Sequence, residues 1–234
     1  MESLEAALGE ARELDMERIA GAIERIGFEC TRCGECCRGV GETQHTATIF
    51  PAEVRDVMDR TGLQWADVAR PMPFGLEGGN GETFEWAIRT DASGDCRFLR
   101  ENNGEASRGK RDVMDDSTGG CGGRTDSSTA CTIYRDRPLI CRTYPFSLDL
   151  GGMTEPDEAI VAVDWLVQAH ECRGLGTDIE RDDALALAQT LKRRAVRELT
   201  EAIRVAAKYE PMAVQGEVVV HDSEGAKRPD GTRL

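Results

Sequence analysis

Apolar residues recur at intervals of three and four along the start of the chain, with charged residues between them. Within residues 3–26 the repeat includes Leu4, Leu8, Ile19 and Ile23. This spacing places the apolar side chains on one face of a helix, because 3.6 residues complete a helical turn. We therefore predict an amphipathic helix over 3–26 that leads directly into a segment rich in cysteine.

The same periodicity returns near the end of the chain, over residues 178–209. Leu187, Leu191 and Leu199 lie on the predicted apolar face, and Thr177 stands where an N-cap residue is expected. The sequence thus predicts a second long amphipathic helix. Both helical faces require a core to cover them.

Shorter patterns lie between these two helices. We predict a helix that begins at Pro51 and ends before Gly62, and a short helix over 65–69. Predicted strands are 46–50, 83–90 and an edge strand within 214–220, and 148–152 with 155–163 forms a strand or a further helix. Residues 101–129 are almost free of apolar side chains, which predicts a mobile surface insertion, and 225–234 should fray.

These patterns predict the α+β class, with one compact, irregular, cysteine-rich domain that carries amphipathic helices at both ends. We divide the chain into an N-terminal helix (1–27), a cysteine-rich domain (28–176) and a C-terminal helix with its tail (177–234). At 234 residues and 40% hydrophobic content, the chain is long enough to bury a core.

The excess of acidic over basic residues argues against some classes of binding partner. Acidic residues number 43 against 29 basic ones, and only four of the basic residues are lysine. A net charge of −14 argues against a nucleic-acid partner, because attraction to phosphate supplies most non-specific affinity. An acidic, lysine-poor composition is also typical of proteins from a salt-rich cytoplasm, which indicates a halophilic organism.

Membrane and export segments are not expected. The sequence has no run of 18 apolar residues, and its first residues are acidic rather than basic and then apolar. We therefore predict a cytoplasmic protein without a membrane partner.

Nine cysteines carry the chemistry that the sequence suggests. Cys30, Cys33, Cys36 and Cys37 lie within eight residues, around Gly34. A two-residue gap lets two thiolates converge on one metal centre. An odd number of cysteines in a reducing compartment disfavours a disulfide framework. The other five cysteines are Cys96, Cys121, Cys131, Cys141 and Cys172.

No common template fits this spacing. Ferredoxin clusters use C-x2-C-x2-C-x3-C, whereas the fourth cysteine here follows the third at once. A zinc ribbon needs a second C-x2-C pair, which the later cysteines do not form. Because adjacent side chains usually point apart, Cys36 and Cys37 are not expected to bind one ion without strain. Zinc, iron and an iron–sulfur cluster all stay open, as do two four-sulfur sites.

Four blocks of residues, taken in order, carry a resemblance to a known family. The chain resembles the YkgJ-type cysteine-cluster family of zinc- or iron-chelating domains over residues 28–176. The blocks are Phe28, Cys30, Cys33, Gly34, Cys36 and Cys37; Cys96, Arg97, Phe98 and Leu99; Cys131, Ile133, Tyr134, Arg137, Pro138, Cys141, Arg142, Tyr144, Pro145 and Phe146; and Cys172, Gly174 and Gly176.

The resemblance implies a metal-chelating or iron–sulfur role, with an iron–sulfur oxidoreductase or a methylase-like protein-modifying enzyme as implied outcomes. Its implied ligands are eight cysteines. Iron or an iron–sulfur cluster is favoured over zinc, because thiolate ligands alone provide more sulfur than one zinc ion needs. Cys121 lies outside the family pattern, where a free surface thiol is expected. The implied ligands are Cys30, Cys33, Cys36, Cys37, Cys96, Cys131, Cys141 and Cys172.

Residues near the later cysteines suggest supporting roles. Arg137 and Arg142 flank Cys141 and either offset the charge of the centre or pair with acidic neighbours such as Asp136. His170 is a second-choice nitrogen ligand. We expect an aromatic lid over the centre, formed by Tyr134, Tyr144 and Phe146.

Enzymatic signatures are missing from the sequence. No G-x-G-x-x-G turn is present to hold a cofactor, and the three histidines, His45, His170 and His221, lie in unrelated contexts. The sequence therefore leaves two main functions open: an iron or iron–sulfur protein, and a structural zinc module that acts in binding or scaffolding. Neither the substrate nor a protein partner can be read from it.

Overall fold

The computed structural model combines six helices with several small sheets in the described part of the chain, which confirms the α+β class. The structure describes residues 2–39, 46–76, 78–101, 129–150, 160–164, 166–212 and 216–234. The helices are α1 (Glu2–Glu13), α2 (Met16–Ile26), α3 (Pro51–Thr61), α4 (Trp65–Val68), α5 (Leu139–Thr143) and α6 (Arg181–Lys208). Two short 3₁₀ turns span Glu35–Cys37 and Tyr134–Asp136.

The strands are short and form four small sheets among the described residues. Two are antiparallel pairs, β1 with β3 and β4 with β5, and two have three strands, in the orders β6-β8-β7 and β10-β9-β2. The strands are β1 (Ala69–Pro71), β2 (Gly81–Thr83), β3 (Trp86–Ile88), β4 (Leu99–Glu101), β5 (Thr129–Cys131), β6 (Phe146–Leu148), β7 (Ile160–Asp164), β8 (Val167–His170), β9 (Val218–Asp222) and β10 (Gly225–Lys227).

The predicted N-terminal helix is two helices, separated at Asp15. The Asp15 carboxylate accepts hydrogen bonds from the backbone N–H groups of Glu17 and Arg18, so it caps a new helix instead of continuing the first. The apolar faces of both helices pack against α6, as their periodicity predicts. Ile19 and Ile23 are fully buried there.

The long C-terminal helix begins three residues later than predicted, with Glu180 at its N-cap. Thr177 does not cap it, because its hydroxyl instead donates a 2.8 Å hydrogen bond to the carbonyl oxygen of Gly174. The predicted apolar face is confirmed, since Ala188 and Leu191 are buried on it. This helix supports α1, α2, α5 and the sheet of β6.

The middle helices match the sequence patterns closely. α3 begins at Pro51 and ends at Gly62, whose φ of 72° provides the left-handed turn that closes the helix. The predicted strand over 46–50 is instead an isolated bridge between Thr48 and Ala87. The predicted strand over 83–90 is divided between β2 and β3, which pair with different partners.

The C-terminal tail corrects two predictions. β9 is a central strand, flanked by β10 and by β2, rather than an edge strand. Residues 225–234 do not fray, because Lys227 is buried and forms 2.8 Å ion pairs with Asp222 and Glu224. Gly231 lies against the ring of Trp65, where a Cβ atom would be only 2.4 Å from the ring atoms.

Part of the predicted insertion lies outside the described residues, namely 102–128, and so does 151–159. The ends of the insertion are ordered, since Glu101 pairs with Thr129 in the β4–β5 ladder. Among the described residues, no helix is both long enough and apolar enough to cross a membrane.

Candidate metal centre

The first four cysteines lie on a loop that closes as a tight turn. Gly34, with a φ of 77°, precedes the 3₁₀ turn of Glu35–Cys37, and its carbonyl oxygen accepts a 2.9 Å hydrogen bond from the N–H of Cys37. This turn brings the Sγ atoms of Cys36 and Cys37 to 3.9 Å, although adjacent side chains were expected to point apart. Two thiolates on one tetrahedral metal ion lie about 3.5–4 Å apart, because each bond is roughly 2.3 Å long.

Cys96 is joined to this loop through the backbone. Its N–H donates a 2.7 Å hydrogen bond to the carbonyl oxygen of Cys37. Asp95 strengthens the connection, because its carboxylate accepts from the N–H of Gly39 at 2.9 Å and pairs with Arg38 at 3.2 Å. The turn that begins at Asp91 presents Cys96.

Cys131 enters through the antiparallel pair of β4 and β5. Leu99 and Cys131 are partners in that ladder, and the N–H of Thr132 donates to the carbonyl oxygen of Phe98 at 2.9 Å. Cys37, Cys131 and Cys141 all pack against one hydrophobic cluster that contains Cys96 and Phe98. Three separated segments therefore converge on the N-terminal loop.

Cys141 lies on α5, which a glutamate from another helix holds in place. The Glu53 carboxylate accepts hydrogen bonds from the N–H of Phe50 at 3.0 Å and from the N–H of Leu139 at 2.8 Å. It thus caps α3 and α5 together, and burial raises its pKa. Sequence reasoning missed this role, since only the position of Glu53 in the first turn of α3 was visible.

Cys172 is brought to the same loop by a backbone pairing. Phe28 and Leu175 form an antiparallel bridge, and the N–H of Glu29 donates a 2.9 Å hydrogen bond to the carbonyl oxygen of Gly174. A Cβ atom at position 174 would lie 2.0 Å from the carbonyl oxygen of Glu29. Only glycine therefore allows this close approach of the two segments.

The thiols fall into two groups according to which other thiols raise their pKa values. Cys36 belongs to both groups. Burial raises the pKa of Cys96 to about 11, with Cys131 and Cys36 adding to the effect. Burial, Cys96 and Cys36 also raise the pKa of Cys141. The pKa of Cys172 is raised by burial and then by a different set of thiols, Cys33, Cys36 and Cys30.

The cysteine side chains do not form a complete set of ligands around one point in this structure. Among the described residues, no three Cys, His, Asp or Glu side chains have positions from which they could hold one metal ion. The Cys36–Cys37 pair thus has the separation of two ligands, without a third side chain in place. The backbone contacts described above join the segments that carry these cysteines.

Arg137 and Arg142 flank Cys141, and we expected them either to offset the charge of the centre or to pair with acidic neighbours. Their observed contacts match neither expectation fully. Arg142 donates to the carbonyl oxygens of Arg137 at 2.6 Å and Arg135 at 3.0 Å, while Asp136 pairs with Arg60. Arg137 donates to the carbonyl oxygen of Tyr134, and its charge partly offsets the raised pKa of the Cys131 thiol. Their main contacts are therefore with the backbone of the loop.

The aromatic residues do not form one lid. Phe146 is buried in the core beneath α6, with its ring 5.5 Å from that of Phe28. Tyr134 is 37% exposed, and the guanidinium groups of Arg32 and Arg137 lie 4.8 and 3.8 Å from its ring centre. Arg32 also has a φ of 53°, a conformation rare for a non-glycine residue and often found at functional sites.

Of the three residues predicted to form the lid, Tyr144 contacts the segment that carries Cys172. Its hydroxyl donates to the carbonyl oxygen of Glu171, next to Cys172. Burial raises its pKa to about 12, and the thiols of Cys172 and Cys36 contribute. Of the predicted aromatic residues, Tyr144 thus lies beside the thiol group that contains Cys172.

The remaining candidate residues are the histidines and Cys121. The Nε2 atom of His170 is 3.1 Å from the hydroxyl of Ser147, on the neighbouring strand. His221 is buried beside Glu82, with its Nε2 2.6 Å from the carboxylate. Cys121 and His45 lie outside the described residues, so the prediction of a free thiol at Cys121 stays a prediction.

Comparison with known proteins gives one match. The sequence model of the CxxCxxCC family, described as a "putative zinc- or iron-chelating domain", matches residues 29–173. That range includes all eight cysteines that the structure describes. No curated protein and no solved structure matches the chain significantly.

Proposed function

Because the chain belongs to the CxxCxxCC family of zinc- or iron-chelating domains, we propose that it binds zinc or iron through the thiolates of its eight family cysteines. The observation that carries this proposal is the convergence of four separated segments on the loop of Cys36 and Cys37, whose Sγ atoms are 3.9 Å apart. The proposed ligands are Cys30, Cys33, Cys36, Cys37, Cys96, Cys131, Cys141 and Cys172.

The donor set fits such a metal. Thiolates are soft ligands that suit zinc and iron, and few other side chains compete with them near this loop. Burial holds the pKa of Cys96 near 11, so this thiol is protonated at neutral pH until a metal displaces the proton. A bound zinc ion would join the four segments, whereas iron would add the ability to exchange an electron.

The 3.9 Å separation of the Cys36 and Cys37 Sγ atoms fits two ligands of one metal atom, either a single ion or one iron of a two-iron cluster. In a four-iron cluster each thiolate binds a different iron, so its ligands lie further apart. The number of thiols supports a second candidate, an iron–sulfur centre with a redox role. Eight cysteines exceed the four ligands of one tetrahedral ion, which leaves enough for a cluster or a second ion.

Two further functions follow from these alternatives. A protein that holds only zinc acts as a structural module for binding or scaffolding, in which the metal contributes folding energy. A methylase-like modification enzyme requires a substrate site in addition to the metal. We favour metal chelation as the primary function, since it requires only the cysteines themselves.

Metal analysis of protein purified without oxygen tests the proposal. We expect zinc or iron bound in a fixed ratio to the chain, with brown colour and visible absorption if iron–sulfur clusters are present, and a colourless sample if zinc is present. Replacement of Cys37 by serine should lower the metal content, whereas Cys121→Ser, the matched control, should leave it unchanged. A metal-free protein that folds normally would contradict the proposal. Loss of metal in Cys121→Ser would add that residue to the ligand set.

A further inference from the structure

A cavity of about 780 Å³ lies along α6, and none of the described cysteines lines it. This volume is within the range of pockets that hold small organic molecules, roughly 300–1,000 Å³. The helix residues on its wall run from Leu191 to Tyr209, a length of about 27 Å at a rise of 1.5 Å per residue. A volume of this size spread along such a length favours an extended ligand over a compact one.

Much of the cavity wall is apolar. Leu4 of α1, Leu148 of β6 and the nearby Leu150 line the cavity together with two residues of α6, Ala195 and Leu199. The same five residues belong to one hydrophobic cluster. Such a wall accepts a hydrocarbon chain, because each methylene group that leaves water for an apolar surface lowers the free energy.

The charged side chains on the wall are largely matched inside the protein. Arg194 is the only cation among the described lining residues, and it also donates to the hydroxyl of Thr143 at 2.9 Å. Of the acids on the wall, Glu85 is exposed to solvent, and the others have internal partners. These pairs are Asp222 with Lys227 at 2.8 Å, Glu198 with Arg194 at 2.7 Å, Glu201 with Arg197 at 2.8 Å, and Asp149 with Gln168 at 3.3 Å. A charged ligand would therefore lose its hydration without gaining an ion pair, which is costly.

One uncharged polar group on the wall lacks a partner, the hydroxyl of Ser223. This residue is 6% exposed, and its hydroxyl forms no hydrogen bond within the described part of the protein. The hydroxyl oxygen keeps some accessible surface, unlike the sealed carboxylate oxygens of Glu201. The carbonyl oxygen of Ser223 accepts a 2.6 Å hydrogen bond from Nζ of Lys208, so Ser223 lies beside the C-terminal end of α6. A largely buried hydroxyl without a partner is unfavourable unless a ligand supplies one.

From these contacts we propose that the cavity binds an uncharged aliphatic molecule with one hydrogen-bonding head group. The head group, a hydroxyl or a carbonyl, pairs with the hydroxyl of Ser223 at the C-terminal end of α6. The hydrocarbon chain extends along the helix toward Ala195 and the leucines beside it. This site is separate from the metal centre and does not depend on which metal is bound there.

Three probes of equal chain length test the proposal on the protein as purified with its metal. Octanol, octanoate and octylammonium share a hydrocarbon chain and differ in charge at neutral pH, and calorimetric titration measures the affinity of each. We expect octanol to bind at least about tenfold more tightly than either ion, because neither ion finds an unmatched opposite charge on the wall. Equal affinities, preference for either ion, or binding of none of the three would overturn the proposal.

Variants locate the bound probe. Ser223→Ala should weaken octanol binding severalfold through the loss of one hydrogen bond, and Ala202→Phe should weaken it at least about tenfold by filling the cavity. Ser3→Ala is the matched control, since Ser3 is an exposed serine on α1 that does not line the cavity, and it should leave octanol affinity unchanged.

Circular dichroism should show that each variant is folded, and metal content should be the same in all of them, which separates this test from that of the metal centre. Unchanged octanol affinity in Ala202→Phe would overturn the proposed site. Unchanged affinity in Ser223→Ala would overturn the role assigned to that hydroxyl. Should Ser223→Ala fail to fold, the order of the three probes on the natural protein still decides the proposal.

Discussion

At the scale of single residues, the contacts that gather the thiols depend on a few positions where no other residue fits. Gly174 is the clearest case, because its backbone lies against the carbonyl oxygen of Glu29 beside Cys30. The Glu53 carboxylate has a similar part for Cys141, through the start of α5. These residues contribute no thiol, yet they determine where thiols lie.

Replacement of Gly174 by alanine should separate the segment of Cys172 from that of Cys30. The added Cβ atom would lie 2.0 Å from the Glu29 carbonyl oxygen, so the backbone must shift, at a cost of about 1–3 kcal/mol. We expect lower stability in urea unfolding and reduced metal content. Gly9→Ala is the control, since a Cβ atom there meets no atom within 4 Å, and it should slightly stabilise α1. Full metal content in Gly174→Ala would show that this approach is not needed.

Lys227 is the second residue whose replacement should be severe. Its ammonium group is 2% exposed, lies 2.8 Å from the carboxylate of Asp222, and stands 4.7 Å from the ring centre of Trp65. Lys227→Met would leave the buried Asp222 without its cation, which typically costs about 3–5 kcal/mol. Arg25→Met, which removes an exposed pair with Asp164, should cost less than about 1 kcal/mol. Urea unfolding measures both, and similar small losses would contradict the assigned role of Lys227.

At the scale of elements, the hairpin of β9 and β10 shows how a polar tail becomes ordered. Lys227 and Arg55 both bind Glu224, so the hairpin is attached to α3 as well as to its own strands. Asp222 accepts a 2.8 Å hydrogen bond from the indole N–H of Trp86 on β3. Charged side chains thus hold this sheet together with the buried valines of β9.

This attachment predicts a dependence of stability on pH. Arg55, with a further contribution from Lys227, lowers the pKa of Glu224 to about 2, whereas an unfolded glutamate titrates near 4.3. A lowered pKa stabilises the fold above about pH 4.3, and this stabilisation is lost as the pH falls toward 2. The free energy of unfolding should therefore decrease over that range more steeply in the natural protein than in Glu224→Gln. Parallel curves for the two proteins would contradict the prediction.

The sequence predicted helices better than strands, for a physical reason. The faces of α3 and α6 depend on local periodicity, which the sequence shows directly, so Gly62 and the buried Leu191 were placed correctly. Strand partners depend on distant residues, and the parallel pairing of β2 with β9 has no local signal. The division at Asp15 was visible in principle, because aspartate is a preferred N-cap residue.

At the scale of the whole molecule, two regions meet along α6. Several cysteine segments pack with α3, α4 and the strands β1, β3 and β9 in one region, and the N-terminal helices pack with the β6-β8-β7 sheet and α6 in the other. Arg194 connects them, since it donates to the hydroxyl of Thr143 at 2.9 Å, at the end of α5. The helix therefore supports the metal-binding region without contributing a cysteine.

Removal of the metal should loosen the cysteine region more than the helical one. A chelator should make the buried thiols of Cys96 and Cys141 reactive toward an alkylating reagent, because the pairing of their segments loses its metal support. Helical circular dichroism should change little, since α1, α2 and α6 are held by apolar packing. Mass spectrometry of the alkylated protein identifies the modified cysteines. Equal reactivity of these thiols before and after chelation would contradict a metal role for them.

The sequence names the eight cysteines of the candidate site, whose role as ligands stays a prediction, and it does not show how their segments are arranged. The block pattern named all eight cysteines, because motif spacing is a property of the sequence. The sharing of Cys36 between two thiol groups, and the 3.9 Å approach of its Sγ to that of Cys37, depend on the turn after Gly34 and on segments from far along the chain. No local pattern carries that information.

The backbone pairing of Phe28 with Leu175 also sets an order of events during synthesis. The ribosome releases Cys30 early and Cys172 much later, since a chain emerges from its N-terminus. Until Leu175 is free to pair, the nascent chain presents the first thiols without their final neighbours. With the proposed ligand set, we expect complete metal loading to follow translation of the cysteine-rich domain, and a chain that stops before Cys172 should retain an incomplete set of ligands.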